Sequence, residues 1–274
     1  MKKMLNIGCG SKFHTEWINI DIHSSNTSVI QHDIRKGLPF PDCTFDAVYS
    51  SHLLEHLSEK EAGLLLKEKF RILKPGGICR IGVPDLEQIC KNYLFYLNEL
   101  VKGRIENDFR YRYSKLELFD QMTRNSSGGE LGKIWMDRIY ADAEFIQNRH
   151  GKEVLIPYSI EGISNAQGKT LRNKIKNIPK EIAVKIYGKV LKFLLGNEKY
   201  EILQEGIFRN SGEIHKVMYD RYSIKKILSD SGFKETEIVT AFISKIPEFS
   251  RYELDVLEGE VRKPDSIFAE AIKP

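Results

Sequence analysis

The chain has 274 residues, 41% of them hydrophobic and 29% charged, with a formal net charge of +4; that length buries a substantial core in one large domain or one domain with an insertion. No apolar run approaches the roughly 20 residues that span a bilayer, and the apolar stretch of MKKMLNIGCG is too short for a secretory signal. The four cysteines, Cys9, Cys43, Cys79 and Cys90, show neither a C-x-x-C pair nor a metal-ligand spacing, so they read as reduced thiols of a cytoplasmic protein.

In chain order, the first ninety residues alternate strand-like and helix-like patterns. MLNIG, WINIDI, VIQHDI, FDAVYSS and ICRIGVP are short apolar runs of the kind that parallel strands buried on both faces produce. Between the fourth and fifth, Ser58 and Glu61 form a capping box for a helix in which Ala62, Leu65, Leu66, Lys69, Phe70 and Leu73 keep an apolar face. Lys74-Pro75-Gly76-Gly77 stops that helix. Near the C-terminus, Tyr222–Ser231 predicts a short amphipathic helix, and EIVTAFI (237–243) and SIFAEAI (266–272) predict two further strands. Strands alternating with helices predict an α/β domain with a mostly parallel sheet. The stretch from about Leu86 to Phe208 breaks the alternation and has a helical pattern, so it predicts a helical insertion rather than a loop of implausible length.

Three strand ends carry chemistry. LNIGCG turns on Gly8 and Gly10, and a strand ending in G-x-G brings backbone N–H groups close to a ligand. A dinucleotide fingerprint needs a third glycine where Phe13 stands, so this turn alone is equally compatible with an ordinary tight turn. Asp21 ends the second run, where a carboxylate accepts hydrogen bonds from a ribose diol. Asp33-Ile34 ends the third, offering a carboxylate to an adenine amine and an apolar face to its ring. Three such groups at one sheet edge are where ligands bind in open α/β sheets.

Together, LNIGCG, the aspartates of WINID and QHDI, LPFPDCTFDAVYSSHLLEHL and RILKPGGICRIGVPD resemble the core of class I S-adenosylmethionine-dependent methyltransferases. VPDLEQICKNYL, GEIHKVMYDRYSIKKILSDSGF and RKPDSIFAEAIKP resemble more narrowly a group of bacterial methyltransferases of the type 11 kind. The resemblance implies a Rossmann-like, doubly wound seven-stranded sheet, six strands parallel and one antiparallel. It implies a cofactor-binding core over 1–97 and 208–274, and a helical insertion or lid over 98–207 covering the acceptor. The group lacks the usual helix ahead of the first strand, so the insertion is expected to close the site. S-adenosyl-L-methionine is the implied cofactor, with Asn6, Gly8, Cys9 and Gly10 at its methionine part, Asp21 on the ribose, Asp33 and Ile34 at the adenine, and Ser50 and Ser51 beneath the methionine. Asn6 stands where many members carry an acid.

Ser50-Ser51-His52-Leu53 replaces the Asn/Asp-Pro-Pro-Tyr of many amino-methyltransferases, which disfavours an amide or base-amine acceptor and leaves a sugar, glycan or other small hydroxyl compound as the expected one. A hydroxyl acceptor benefits from a nearby base; the candidates are His52, Asp85 and His215, each equally at home as a hydrogen-bonded structural residue. Glu55-His56 reads as a structural network, and no metal is expected. SSGGELGK (126–133) fails as a phosphate loop because Ile134 follows the lysine.

The net charge hides a local feature. Lys169 to Lys192 holds eight basic residues and one acidic one, a local +7 that leaves the rest of the chain at −3. Beyond Pro179, Ile182, Ile186, Val190, Phe193 and Leu194 share one face of an amphipathic helix, and Lys185, Lys189 and Lys192 gather on another. A packed helix with a solvated lysine face is one reading; peripheral contact with an anionic membrane surface at the inner face of the membrane is the other. Nucleic acid is disfavoured because aromatic residues are not interleaved with the lysines as a stacking platform requires. Oligomeric state is not legible. A non-catalytic cofactor-binding or membrane-docking protein is the second expectation and a nicotinamide-dependent reductase the third.

Overall fold

A computed structural model describes residues 2–24, 26–136, 142–152 and 178–274, with the side chains of 136 and 178–190 undescribed. The side chains of Lys185 and Lys189 therefore lie outside the described residues. Seven strands form one sheet: β1 (Met4–Ile7), β2 (Ile18–Asp21), β3 (Val29–Gln31), β4 (Phe45–Ser51), β5 (Leu73–Pro84), then β6 (Lys234–Val239) and β9 (Ser266–Ile272). β7 (Val256–Leu257) and β8 (Glu260–Val261) make a separate small hairpin. The sheet order is β3-β2-β1-β4-β5-β9-β6. β9 runs antiparallel to both neighbours and the other six strands are mutually parallel. The chain winds outward from β1 in one direction and from β4 in the other, so the strand order reverses between them, and that switch point is where such sheets hold ligands.

Connections on the β1 side are short. Residues 8–17 run from β1 into β2 without a helix, so the Gly8–Gly10 turn does not open a helix N-terminus. The helix between β4 and β5, α1 (Glu59–Ile72), carries the expected capping box: Ser58 Oγ accepts from Glu61 N and Glu61 Oε2 accepts from Ser58 N. It ends at Ile72, one turn ahead of the left-handed Gly76, because Leu73 already pairs with Phe45 in the sheet. Leu65 and Leu66 of α1, and Ile224 and Leu228 of α7 (Arg221–Asp230), close the main core with Leu5, Ile20, Val48 and Ile81. A second cluster gathers Met4, Trp17 and Tyr49 with Phe249, Tyr252 and Leu254, so the segment after β6 covers sheet residues with aromatic rings.

β6 begins and ends three to four residues earlier than the 237–243 run suggests. The carbonyls of Thr240, Ala241 and Ile243 accept hydrogen bonds from the buried Arg80 guanidinium instead of continuing a ladder. Burying that charge fixes the local backbone.

The helical region contains α2 (Leu86–Val101), α3 (Asp108–Thr123), α4 (Gly129–Met136) and α5 (Ala143–His150). SSGGELGK supplies the start of α4, not a phosphate loop. Tyr113, Leu131 and Ile146 form the core of this layer, flanked by Phe109, Trp135 and Phe145. Polar side chains tie it to the sheet: Arg149 pairs with Glu117 and donates to Gln88, and His150 lies 3.0 Å from Asp265, the residue preceding β9. The layer thus attaches beside the start of β9, at the edge where β4 and β5 end. α6 (Ile178–Arg209) is interrupted at Gly196, which has φ 78° and ψ 166°. From residue 192 it is exposed almost throughout. No helix among the described residues is long and apolar enough to cross a membrane.

Candidate active site

The Gly8–Gly10 turn needs both glycines for backbone sign, and Gly8 for space as well. Gly8 adopts φ +67°, and a Cβ placed there would meet Leu53 Cδ1 at 2.8 Å. Gly8 N donates to Ile20 O at 2.8 Å, which locks the turn to β2. Gly10 N donates to Asp21 Oδ2 at 2.8 Å, and His23 N donates to Asp21 Oδ1 at 3.0 Å, so the aspartate that ends β2 orders the glycine loop from the side. Asn6 is buried and its amide donates to Lys12 O at 3.1 Å, doing from within β1 what the Asp21 carboxylate does from β2.

This turn opens onto a cavity of about 300 Å³. One wall is Asn6, Gly8, Cys9 and Gly10, a second is Tyr49, Ser51 and His52 at the end of β4, and a third is Asp255, Arg262 and Phe268. Burial pushes the Cys9 thiol up to about 11, so it stays protonated and inert.

The expected site residues divide. Asn6, Gly8, Cys9, Gly10, Ser51 and His52 come together at the cavity, with Asp21 joined to it through Gly10. Asp33 and Ile34 stand at the neighbouring β3 edge. Arg35 grips Asp33 through Nε and Nη2, both at 2.9 Å, and that contact holds the carboxyl down to about 2. Ile34 lines a smaller crevice of about 70 Å³ with Leu57 and Leu64. Three residues depart from expectation. Ser50 is fully buried and accepts from Lys69 Nζ at 2.5 Å, because neighbouring strand residues face opposite sides and Ser51 takes the cavity side. Asp85 caps α2, accepting from Gln88 N, and does not line the cavity. His215 is buried behind the wall, its ring 4.9 Å from that of His56.

His52 is the histidine that reaches the cavity. Its backbone is left-handed, with φ +51°. Nε2 lies 2.8 Å from Ser266 Oγ, and Nδ1 lies 3.2 Å from Glu55 Oε1. A carboxylate on one ring nitrogen and a hydroxyl on the other is the geometry of an oriented general base. Glu55 is fully buried; burial alone would raise its pKa, but His52, His56 and His215 around it outweigh that and hold it down to about 2. The same burial pushes His215 down to about 4 despite the nearby Glu55.

Tyr49, Asp255, Arg262, Phe268 and Ser266 were not legible as site residues. Tyr49 donates to Asp255 Oδ1 at 2.5 Å, and Arg80 Nε donates to Asp255 Oδ2 at 2.8 Å, so the cavity's third wall is anchored in the centre of β5. Asp255 lies 206 residues from Tyr49, beyond the reach of any local pattern. Two signals were available: an arginine inside the apolar run ICRIGVP, and the period-2 relation of Tyr49 to Ser51.

Comparison with known proteins bears on the same region. Residues 5–81 match the family model described as a methyltransferase domain. Over 85 residues the chain is 36% identical to the ubiquinone/menaquinone biosynthesis C-methyltransferase UbiE of Salmonella paratyphi B, an alignment covering 28% of this chain and 33% of that protein. The chain thus spans about a third of the length of the curated relatives it matches. Among solved structures, a SAM-dependent methyltransferase from Thermotoga maritima aligns at 12% identity and TM-score 0.40, covering 100% of this chain and 83% of that one. One from Archaeoglobus fulgidus aligns at 12% identity and TM-score 0.39, covering 99% and 86%. Overlaps that loose carry no argument. The sequence match over residues 5–81 takes in the glycine turn, Asp21 and the β4 wall of the cavity; over that stretch the chain is similar to a methyltransferase domain, and the cofactor that this similarity implies is S-adenosyl-L-methionine.

Proposed function

We propose that the protein transfers a methyl group from S-adenosylmethionine to the oxygen of a small hydroxyl compound, a sugar or glycan being the first choice. The observation that supports it is His52 at the cavity, oriented by Glu55 and already hydrogen-bonded to a hydroxyl, that of Ser266. The residues present fit the cofactor: Gly8 and Gly10 hold positive φ and line the cavity, and Asp21 stands beside them. Gly8, Cys9, Gly10 and Asn6 would hold the methionine part, and Asp21 the ribose. When bound, the cofactor supplies a sulfonium methyl group already activated by its positive charge. The chain's work is then alignment, which can remove several kcal/mol of barrier, and removal of the acceptor's proton. Glu55 fixes the His52 ring, and Nε2 would take the proton from the acceptor hydroxyl once that hydroxyl displaces Ser266 Oγ from it. The helical layer held by His150 and Asp265 at the start of β9 would bound the acceptor side and set specificity.

The name of the Salmonella relative favours a second reading, methylation at carbon. A base on the hydroxyl of an aromatic acceptor would serve that chemistry too, by raising electron density in the ring. Mass spectrometry and NMR of the methylated product separate the two readings. Calorimetry with S-adenosylhomocysteine tests the shared part: Asp21→Ala is expected to weaken binding at least about tenfold, since it removes a charged acceptor and the prop of the Gly10 amide. Unchanged affinity would sink the ribose assignment.

The expected membrane contact acquires one supporting feature. Beside Lys192, Phe193 is 88% exposed and Leu194 70% exposed, with Ile202 and Ile207 exposed further along α6. We propose that this helix rests on an anionic lipid surface. In liposome sedimentation with anionic vesicles, Phe193→Ser with Lys192→Glu should release the protein; equal, salt-insensitive partitioning of wild type and variant would remove the idea.

A further inference from the structure

Behind the cavity wall lies a cluster that the methyl-transfer reading does not use in full. Glu55, His56 and His215 each offer a ligand atom, and the three atoms lie within 4.8 Å of one another. Glu55 is fully buried, and Oε1 has the His52 ring nitrogen at 3.2 Å while Oε2 has no donor; buried His215 Nδ1 lacks a partner as well, as does the hydroxyl of Tyr219. Buried polar atoms are almost always satisfied, so unpartnered atoms in a cluster this tight call for a missing partner. The framework is rigid around them. Glu55 O accepts from Lys216 N at 2.6 Å, and His215 N donates to Gln121 O at 2.9 Å, pinning the segment before α7 to the turn after β4 and to α3. His56 Nδ1 lies 3.2 Å from Ile214 O, so that nitrogen carries the proton and Nε2 is left as the ligand.

We propose that Glu55, His56 and His215 form a binding site for a divalent transition metal of the zinc type. Two imidazoles and one carboxylate are a donor set that zinc accepts, whereas calcium and magnesium prefer oxygen ligands throughout. Bonds of about 2.0–2.2 Å set donors roughly 3.4 Å apart, so binding draws the cluster in modestly. The metal takes the second Glu55 oxygen while the first faces His52 at 3.2 Å, so it acts on His52 only through Glu55. That positioning role rests on the methyl-transfer reading; the site itself does not. The proposal departs from the expectation of no metal, which rests on local spacings; His215 lies 159 residues from His56 and only the fold joins them.

The test is titration of chelator-treated, tag-free protein with Co²⁺ alone, followed by visible absorption and by displacement with Zn²⁺. About one equivalent should bind with a ligand-field band, Zn²⁺ should displace it, and Glu55→Gln, His56→Ala and His215→Ala should each lose the band while circular dichroism shows them folded. Absence of a band in wild type, or a band that survives all three substitutions, overturns the proposal. If the variants do not fold, the wild-type titration still decides, with metal content of the untreated protein as the second measurement: about one zinc-type ion per chain supports the site and none overturns it when the titration is also blank. Neither methyl donor nor acceptor is present, so a failure to bind S-adenosylhomocysteine and a failure to bind Co²⁺ are separate results.

Discussion

His52→Asn should lower turnover by about 10²–10⁴-fold while leaving S-adenosylhomocysteine affinity within about threefold. That range is what a positioned general base contributes. Asparagine is the informative replacement because His52 holds φ +51°, a region that asparagine tolerates better than most residues. Backbone strain is thereby kept out of the comparison. The variant keeps a polar side chain at the wall yet cannot accept a proton at pH 7. Its measurement is the rate of label transfer from S-adenosylmethionine with whichever sugar or phenol of an acceptor panel supports turnover in the wild type. A variant within threefold of wild type would remove His52 as the base and leave alignment as the protein's whole contribution. Ser266→Ala separates the two parts of the geometry, since it removes only the hydroxyl on Nε2 and should change turnover far less.

How far the sequence revealed this site follows from which residues share a strand. The order of the first five strands, the capping box and the carboxylate closing β2 are local patterns, and they are present as read. Ser50 and Ser51 were assigned one role together, although adjacent residues in a strand face opposite sides; Ser51 lines the cavity and Ser50 meets the buried Lys69. Asp85 at a strand end looked like a site residue, yet Asp-x-x-Gln ahead of an apolar periodicity is also a helix cap, and the cap is what forms. Asp255, Arg262 and Phe268 belong to a segment joined to β4 and β5 by the fold alone. The run 237–243 is apolar enough for a strand, but Arg80 takes its carbonyls. One buried charge on β5 thus displaced a strand boundary two strands away in the sheet.

That charge also sets the largest expected stability effect. Arg80 is fully buried and its five N–H groups have five acceptors: Nε on Asp255 Oδ2, Nη1 on Glu270 Oε1 and Ile243 O, Nη2 on Thr240 O and Ala241 O. The rings of Phe249 and Phe268 flank the guanidinium at 4.6 and 5.3 Å. Arg80→Leu keeps volume but leaves the carboxylates of Asp255 and Glu270 buried without their cation, and a buried pair broken on one side costs about 3–5 kcal/mol. Against a total stability of about 5–15 kcal/mol, that loss should shift the urea midpoint by a large fraction of its value. Arg80→Lys should recover only part of it, since three donors on a point charge cannot replace a five-donor fork. The deficit has a pH sign. Burial already raises the Asp255 pKa, with Arg80 opposing, and without the arginine it rises further. A carboxyl whose folded pKa exceeds its unfolded value stabilises at low pH and loses that contribution as pH rises through the folded pKa. The gap between wild type and Arg80→Leu should therefore narrow in acid and widen toward neutral pH. An unchanged midpoint, or a gap that widens in acid, would mean that the carboxylates find other partners. Because Asp255 and Tyr49 line the cavity, the variant should also bind S-adenosylhomocysteine more weakly under conditions where it remains folded, linking the centre of β5 to the site it supports.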